Sequence, residues 1–291
     1  MLTSKRKLTL YGYLFFLPFA VVFIAFRIVP LVQSVWMTFH KWDVFGTPVF
    51  IGLSNFKTLF STDRFWSSLW HTIYFTLLTA PPLVILGFSL ALLINSKIMF
   101  KGFFRSTFYL PSIFSISVVC LTWMLLFNTS FGFFNILINR LGLQSVNWLG
   151  NPKVAMIAIA VTTIWWTYGF NFLIYLSGLQ QIPSSFYEAC DIEGANAFQK
   201  LVYITLPLLK RVHILVIVLQ VIASLQIFGQ VYIMTQGGPG GKTRVVIQYV
   251  YEQGFRYFKM GYAQAIAFIF FILMIGISFL QIKVMTGRGE Q

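Results

Sequence analysis

Charge is what this sequence has least of: 7 acidic and 21 basic side chains in 291 residues, 10% in all, against about 25% in an ordinary soluble domain. A water-soluble surface cannot be covered at that density. With 58% hydrophobic and 19% aromatic residues and a mean hydropathy of +0.79, the chain falls in the polytopic membrane class. Disorder and collagen-like repeats are excluded. Cysteine is as scarce, with Cys120 inside an apolar run and Cys190 in what reads as a polar loop. A disulfide scaffold is excluded, a bridge between different membrane depths is disfavoured, and neither position has metal-ligand spacing.

What the chain does have is six apolar runs, near 10–38, 69–94, 106–128, 154–176, 212–234 and 262–284, each long enough for the roughly 20 residues that cross a bilayer core of about 30 Å. They predict an all-α integral membrane fold of six transmembrane helices, with one membrane domain over 10–284. The first run is long enough to tilt, or to kink at Pro30. Lys5-Arg6-Lys7 before it resembles the start of a signal peptide, but no small-residue cleavage site follows, so the run reads as a retained span.

The net charge of +14 would suit a nucleic-acid partner, yet the basic residues flank apolar runs, where they anchor helix ends and set orientation. No nucleic-acid partner is read. With the N-terminus inside, the inner side carries 11 Lys and Arg and the longer outer loops carry 9. Both termini, 1–9 and 285–291, are therefore placed in the cytoplasm, together with the segment 177–211.

No acidic residue lies within a span: Asp43, Asp63, Glu188, Asp191, Glu193, Glu252 and Glu290 all fall outside. An ion-coupled transporter usually keeps a carboxylate at membrane depth, so their placement opposes that class. Arg27 reads as a snorkelling side chain or a functional charge, and His71 and His213 as interfacial residues at span ends. No internal repeat is present.

The inner segment 181–207 carries the most information. It reads as two short helices, with a capping-box pattern at Ser185 and Glu188, a left-handed turn permitted at Gly194, and a second start at Asn196 with Gln199. Phe198, Leu201, Val202 and Thr205 share one face of the second helix. From the residues alone this is either an amphipathic interfacial helix or a docking element.

Here the sequence resembles a family. Glu188-Ala189, Gly194, Ile204, Leu206 and Pro207 follow the pattern E-A-A-x3-G-x9-I-x-L-P of the EAA loop in ABC-transporter permeases, with Cys190 where the pattern has its second alanine. Tyr109-Leu110-Pro111-Ser112, Trp123, Gly132 with Asn135, Trp148-Leu149, Gly178-Leu179-Gln180-Gln181-Ile182-Pro183 and Gly237-Gly238-Pro239 fall in the order of the carbohydrate-type importers, in the first permease of the pair. The resemblance implies type I importer architecture in a bacterial cytoplasmic membrane, with a cytoplasmic coupling-helix loop. It also implies the partners: a second related permease, two ATP-binding cassette ATPases that hold ATP and Mg, and an extracytoplasmic solute-binding protein that delivers a sugar. The chain itself would then be no enzyme and hold no cofactor or metal. By the same resemblance Glu188, Ala189 and Gly194 belong to the ATPase-coupling element, with Phe198 a neighbouring contact.

Sugar recognition needs hydrogen-bonding side chains beside aromatic faces. Ser112, Ser115 and Ser117, then Thr162, Thr163, Thr167, Tyr168 and Asn171, then Gln220, Ser224 and Gln226 place such groups inside spans three to five. The same residues could simply hold helices together. An amide in hydrocarbon needs a partner, which singles out Asn171 and Gln220. The maltose-type permeases resembled imply contacts near Thr167, Tyr168, Asn171, Gln220, Ala223 and Ser224. Trp123, Trp165 and Trp166 could stack on a ring or form interfacial belts. The outer segment 235–261, rich in glycine, reads as a flexible docking loop and not as a P-loop. Glycerol phosphate or a sugar alcohol is the alternative cargo. An ion-coupled transporter and a scaffold subunit without a pathway are the alternatives of other classes.

Overall fold

The computed structural model describes residues 2–43, 46–96 and 99–286, with the side chains of 2–8, 10 and 286 left aside. The basic side chains expected at Lys5, Arg6, Lys7, Lys97 and Arg288, and the acidic Glu290, lie outside the described residues. In chain order the helices are α1 (Leu2–Phe23), α2 (Val29–Thr38), α3 (Ser54–Phe60), α4 (Asp63–Asn95), α5 (Lys101–Tyr109), α6 (Ile116–Leu126), α7 (Phe133–Arg140) and α8 (Ala155–Leu179). Then follow α9 (Ser184–Ile192), α10 (Ala197–Lys200), α11 (Leu206–Leu208), α12 (Lys210–Leu225), α13 (Gly229–Met234), α14 (Val246–Tyr251) and α15 (Met260–Thr286). Two-residue strands β1 (His40–Lys41) and β2 (Val49–Phe50) pair antiparallel, His40 opposite Phe50.

Five helical stretches are long and apolar enough to span a membrane: Tyr11–Thr38, Asp63–Asn95, Ala155–Leu179, Lys210–Met234, which is interrupted between α12 and α13, and Met260–Met285. The sixth is broken. Where the sequence predicts one span over 106–128, Lys101–Ile113 and Ile116–Leu126 meet at 92°. Pro111 sits in a 3-10 turn over Leu110–Ile113 and contributes no amide proton. Phe114 and Ser115 are extended, and Ser115 caps α6. Both limbs are apolar, so hydropathy sees one run where the backbone makes a corner.

Two prolines are handled by widening the helix ahead of them. A π turn over Ile24–Ile28 joins α1 to α2, with the Val29 amide reaching Ile24 O, just before Pro30. A second over Leu201–Thr205 has the Leu206 amide reaching Leu201 O, just before Pro207. A proline ring clashes with the carbonyl four residues back, and the wider turn moves that carbonyl away.

Two compact units make up the chain, Met1–Phe65 with Tyr249–Phe271, and Trp66–Gln248 with Ile272–Gln291. Within the first, the buried Asn55 amide on α3 donates to Thr38 O at 2.8 Å and to His40 O at 3.0 Å, capping the carbonyl end of α2. Phe56 meets Phe268 edge-on at 6.4 Å. In the second, α8 is the internal helix. Glycines let it approach its neighbours: a Cβ on Gly169 would stand 2.6 Å from Phe108 O on α5, and one on Gly178 2.8 Å from Val212 Cγ2 on α12. A Cβ on Gly87 of α4 would stand 2.7 Å from that of Asn171 on α8. Close contact on small residues is how helices associate where no hydrophobic drive separates protein from lipid.

Candidate functional site

The segment after α8 folds as a helix-turn-helix whose joint is set by Gly194. α9 ends in a Schellman motif: the Gly194 amide bonds Asp191 O at 3.2 Å and the Ala195 amide bonds Cys190 O at 2.9 Å, with Gly194 at φ +77°. α10 then opens with a complete capping box, the Gln199 amide donating to Asn196 Oδ1 at 2.9 Å and the Asn196 amide to Gln199 Oε1 at 2.8 Å. An ion pair between Lys200 and Asp191 straps α10 to α9. The hydroxyls of Tyr187 and Thr205 meet at 3.1 Å.

Three local expectations need correction. α9 begins at Ser184 with Pro183 as its uncapped N-cap, so Ser185 is already the second helical residue and makes no capping box with Glu188. Cys190 lies on that helix, not in a loop. The supposed single face of the second helix is split: Phe198 is 72% exposed and Thr205 only 4%, because the π turn shifts register between them.

Glu188, Ala189, Gly194 and Phe198 all reach the surface of this element. Glu188 and Glu193 take part in no ion pair among the described residues. Two residues that sequence reasoning missed add to the surface: Ile192 is 88% and Tyr203 74% exposed. Their signal was an isoleucine two residues before the terminating Gly194 and a tyrosine inside the polar-flanked stretch. Acidic groups and exposed apolar side chains thus stand together on a double turn strapped by an ion pair.

Deeper in the same unit, four side chains form a hydrogen-bonded row across three helices. Asn171 Nδ2 on α8 donates to Gln220 Oε1 on α12 at 2.9 Å, and Gln220 Nε2 donates to Ser224 Oγ at 3.1 Å. Ser224 Oγ lies 3.0 Å from Thr79 Oγ1 on α4, which donates to Phe75 O at 2.9 Å. All four residues are buried. Asn171, Gln220 and Ser224 are thus brought together and satisfy one another. Thr79 was missed, although Thr72, Thr76 and Thr79 stand on one helical face at spacings of four and three. Thr167 Oγ1 donates to its own helix, to Thr163 O at 2.8 Å, and Ser112 Oγ to Trp166 O at 3.0 Å. Tyr168 is half-buried, with its hydroxyl unbonded among the described residues, and Ala223 is exposed on α12.

Trp123 belongs to an aromatic core, its ring 5.7 Å from those of Phe134 and Trp165. The glycine-rich part of 235–261 is bonded to itself where flexibility was expected. Thr243 Oγ1 donates to Gly238 O at 2.6 Å and meets Thr235 Oγ1 at 2.7 Å, and the Gly238 amide bonds Thr235 O at 2.8 Å. The run does end in Gly241-Lys242-Thr243, as a P-loop does, but Gln236 stands where the first glycine is needed and Thr243 is fully buried. That hydroxyl is spent inside the turn. No group of three or more His, Cys, Asp or Glu side chains that could hold a metal occurs among the described residues.

The family described as "Binding-protein-dependent transport system inner membrane component" matches residues 49–284. The chain belongs to this family. It is a multi-pass membrane permease of binding-protein-dependent transport, a transport subunit and not an enzyme. Among permeases of the family's kind, the trehalose/maltose transport system permease protein MalF of Thermococcus litoralis is 36% identical over 99% of both chains. The arabinooligosaccharides transport system permease protein AraP of Bacillus subtilis is 33% identical over 96% of this chain and 90% of its own. A crystal structure of a bacterial ABC transporter involved in the import of the acidic polysaccharide alginate superposes with a TM-score of 0.85, at 23% identity, covering 99% of this chain and 98% of that one. This last likeness establishes the permease fold.

Proposed function

We propose that this permease forms one half of the pathway of an ATP-driven importer for a sugar, of the oligosaccharide class. The observation that carries the substrate class is the 36% identity, over 99% of both chains, to a trehalose/maltose permease. Near-complete coverage means that the segments around any substrate route, and not only the shared coupling loop, have a counterpart there.

In this reading both termini and the α9–α10 element face the cytoplasm. Two partner ATPases hold ATP and Mg, and each engages one permease. On this chain Glu188, Ala189, Gly194 and Phe198 form the contact, the Schellman turn and the Lys200–Asp191 strap keeping the element stiff enough to transmit movement. A second, related permease completes the pathway, and an extracytoplasmic solute-binding protein supplies the sugar. The route passes the α8–α12 seam, where Asn171, Gln220 and Ser224 could exchange their mutual bonds for sugar hydroxyls, with Thr167, Tyr168, Ala223 and Ser112 nearby. Groups that are satisfied when the path is empty bind weakly when it is occupied, which suits release.

The test is a gentle pull-down from native membranes with mass spectrometry, followed by reconstitution of whatever co-purifies and uptake assays with labelled trehalose, maltotriose and arabinotriose. Co-purification of a second permease and an ATPase, with ATP-dependent uptake of one of these sugars, is the expected result. Recovery of the chain alone under crosslinking, or an assembled complex that takes up none of them, would overturn the assignment.

A further inference from the structure

A large cavity among the described residues lies away from the α8–α12 seam. It lies inside the first unit, between the segment that follows α2 and the stretch from Tyr249 to Tyr262, and has a volume of about 880 Å³. That is the size range of small-molecule sites, about 300–1,000 Å³.

Its floor carries an unusual group. Gln253 lines the cavity and is only 7% exposed, yet its side-chain amide has no hydrogen-bond partner among the described residues. Its backbone carbonyl is already taken by the Lys259 amide at 2.8 Å. Gln253 sits in a π turn over Glu252–Arg256, closed by the Tyr257 amide on Glu252 O at 2.9 Å. Such turns are frequent at functional sites. The residue is held by its buried surroundings while its amide opens onto the cavity, free to offer a ligand both a donor and an acceptor.

The surrounding walls specify which ligand. Asp43, Asp63, Lys41 and Lys259 all line the cavity beside Arg64, and the first four are in no ion pair among the described residues. Both signs are therefore available, which disfavours a phosphate as occupant, and the grouping needed for a metal is lacking among the described residues. Three aromatic residues complete the walls. The Trp42 indole is fixed by its N–H donating to Gly46 O at 3.0 Å, and the Tyr249 and Tyr262 hydroxyls meet at 3.2 Å. Carboxylates, ammonium groups and an open amide beside fixed aromatic rings match a molecule with hydroxyls around its rim and apolar ring faces.

We infer that this cavity is a second saccharide-binding site, separate from the α8–α12 seam, which holds the incoming sugar at the extracytoplasmic ends of α2 and α15. The inference rests on the sugar reading and orientation given above. It adds a place where cargo pauses between its delivery protein and the membrane path.

The test uses the complete reconstituted importer with its binding protein. Saturation-transfer NMR and initial uptake rates are recorded with trehalose, maltotriose and arabinotriose for the wild type and for Gln253→Leu, Trp42→Ala and Asp43→Asn. For the sugar that is transported, the expected result is a KM for uptake raised about tenfold in Gln253→Leu and Trp42→Ala and raised in Asp43→Asn, with ring-proton saturation transfer, recorded before the binding protein is added, reduced in parallel. If Gln253→Leu fails to assemble, the exposed Asp43→Asn and half-buried Trp42→Ala decide. Unchanged KM and unchanged saturation transfer in the variants that assemble would overturn the cavity assignment while leaving the sugar reading intact. No uptake of any of the three sugars by the wild type would overturn the sugar reading, and this inference with it.

Discussion

Asn171 donates to Gln220 across 2.9 Å, and the pair stands where a Cβ on Gly87 would come within 2.7 Å of the Asn171 Cβ. The two amides lie where α4 closely approaches α8. In hydrocarbon neither can find water if its partner is removed.

The first prediction follows from that dependence. Asn171→Leu or Gln220→Leu alone leaves a buried amide unsatisfied, a loss of about 1–3 kcal/mol. The double variant removes both needs and should lie closer to the wild type than the sum of the singles. Thermal unfolding of the purified chain in one detergent reads this directly. Strictly additive losses would show that the amides do not act as a unit.

Gly87 gives the second. Gly87→Val forces α4 away from the α8 backbone, and overpacking of this kind typically destabilises by about 1–3 kcal/mol. Gly12 on α1 has nothing within 4 Å of its would-be Cβ, so Gly12→Ala should leave stability unchanged or slightly raised. Equal melting temperatures for Gly87→Val and the wild type would refute the close approach.

How far these features were legible in the sequence depends on the distance over which they are determined. The Gly194 turn and the Asn196–Gln199 capping box were readable because they need only neighbours in the chain. So were the positions of Asn171 and Gln220, because an amide in an apolar run stands out. Their bond to each other was not readable, since it depends on how α8 crosses α12. The corner at Pro111 was invisible to hydropathy, which averages over both limbs. The ordered 235–248 turn was misread because glycine content signals freedom, whereas the bonds of buried Thr243 remove it. Gln253 gave no signal at all, because a glutamine outside a span becomes conspicuous only once burial is known.

At Gly194 the third prediction separates backbone conformation from packing. Its φ is +77° and nothing lies within 4 Å of a would-be Cβ, so side-chain size is irrelevant and handedness decides. An L-residue in that region carries a penalty of about 1–2 kcal/mol, reduced for asparagine. Gly194→Asn should therefore recover more ATPase in co-purification than Gly194→Ala, although asparagine is the larger. The reverse order would mean that the partner, and not the turn, selects glycine.

Phe198 and Thr205 make the last prediction a contrast between two ends of one helical stretch. Phe198 is 72% exposed and Thr205 is 4%, with the Thr205 hydroxyl held by Tyr187 at 3.1 Å and Lys200 O at 3.3 Å. Phe198→Ala removes an aromatic side chain that the chain itself barely contacts. Its melting temperature should not move, while its affinity for the partner ATPase should fall at least tenfold if it is an anchor of about 2 kcal/mol. Thr205→Val keeps the shape and deletes the hydroxyl, so stability should fall by about 1 kcal/mol, and ATPase affinity should fall only as far as the element loosens. Melting curves and ATPase titrations on both variants distinguish the two roles. A destabilised Phe198→Ala with unaltered ATPase affinity would turn that phenylalanine into a packing residue and move the docking face towards Ile192 and Tyr203.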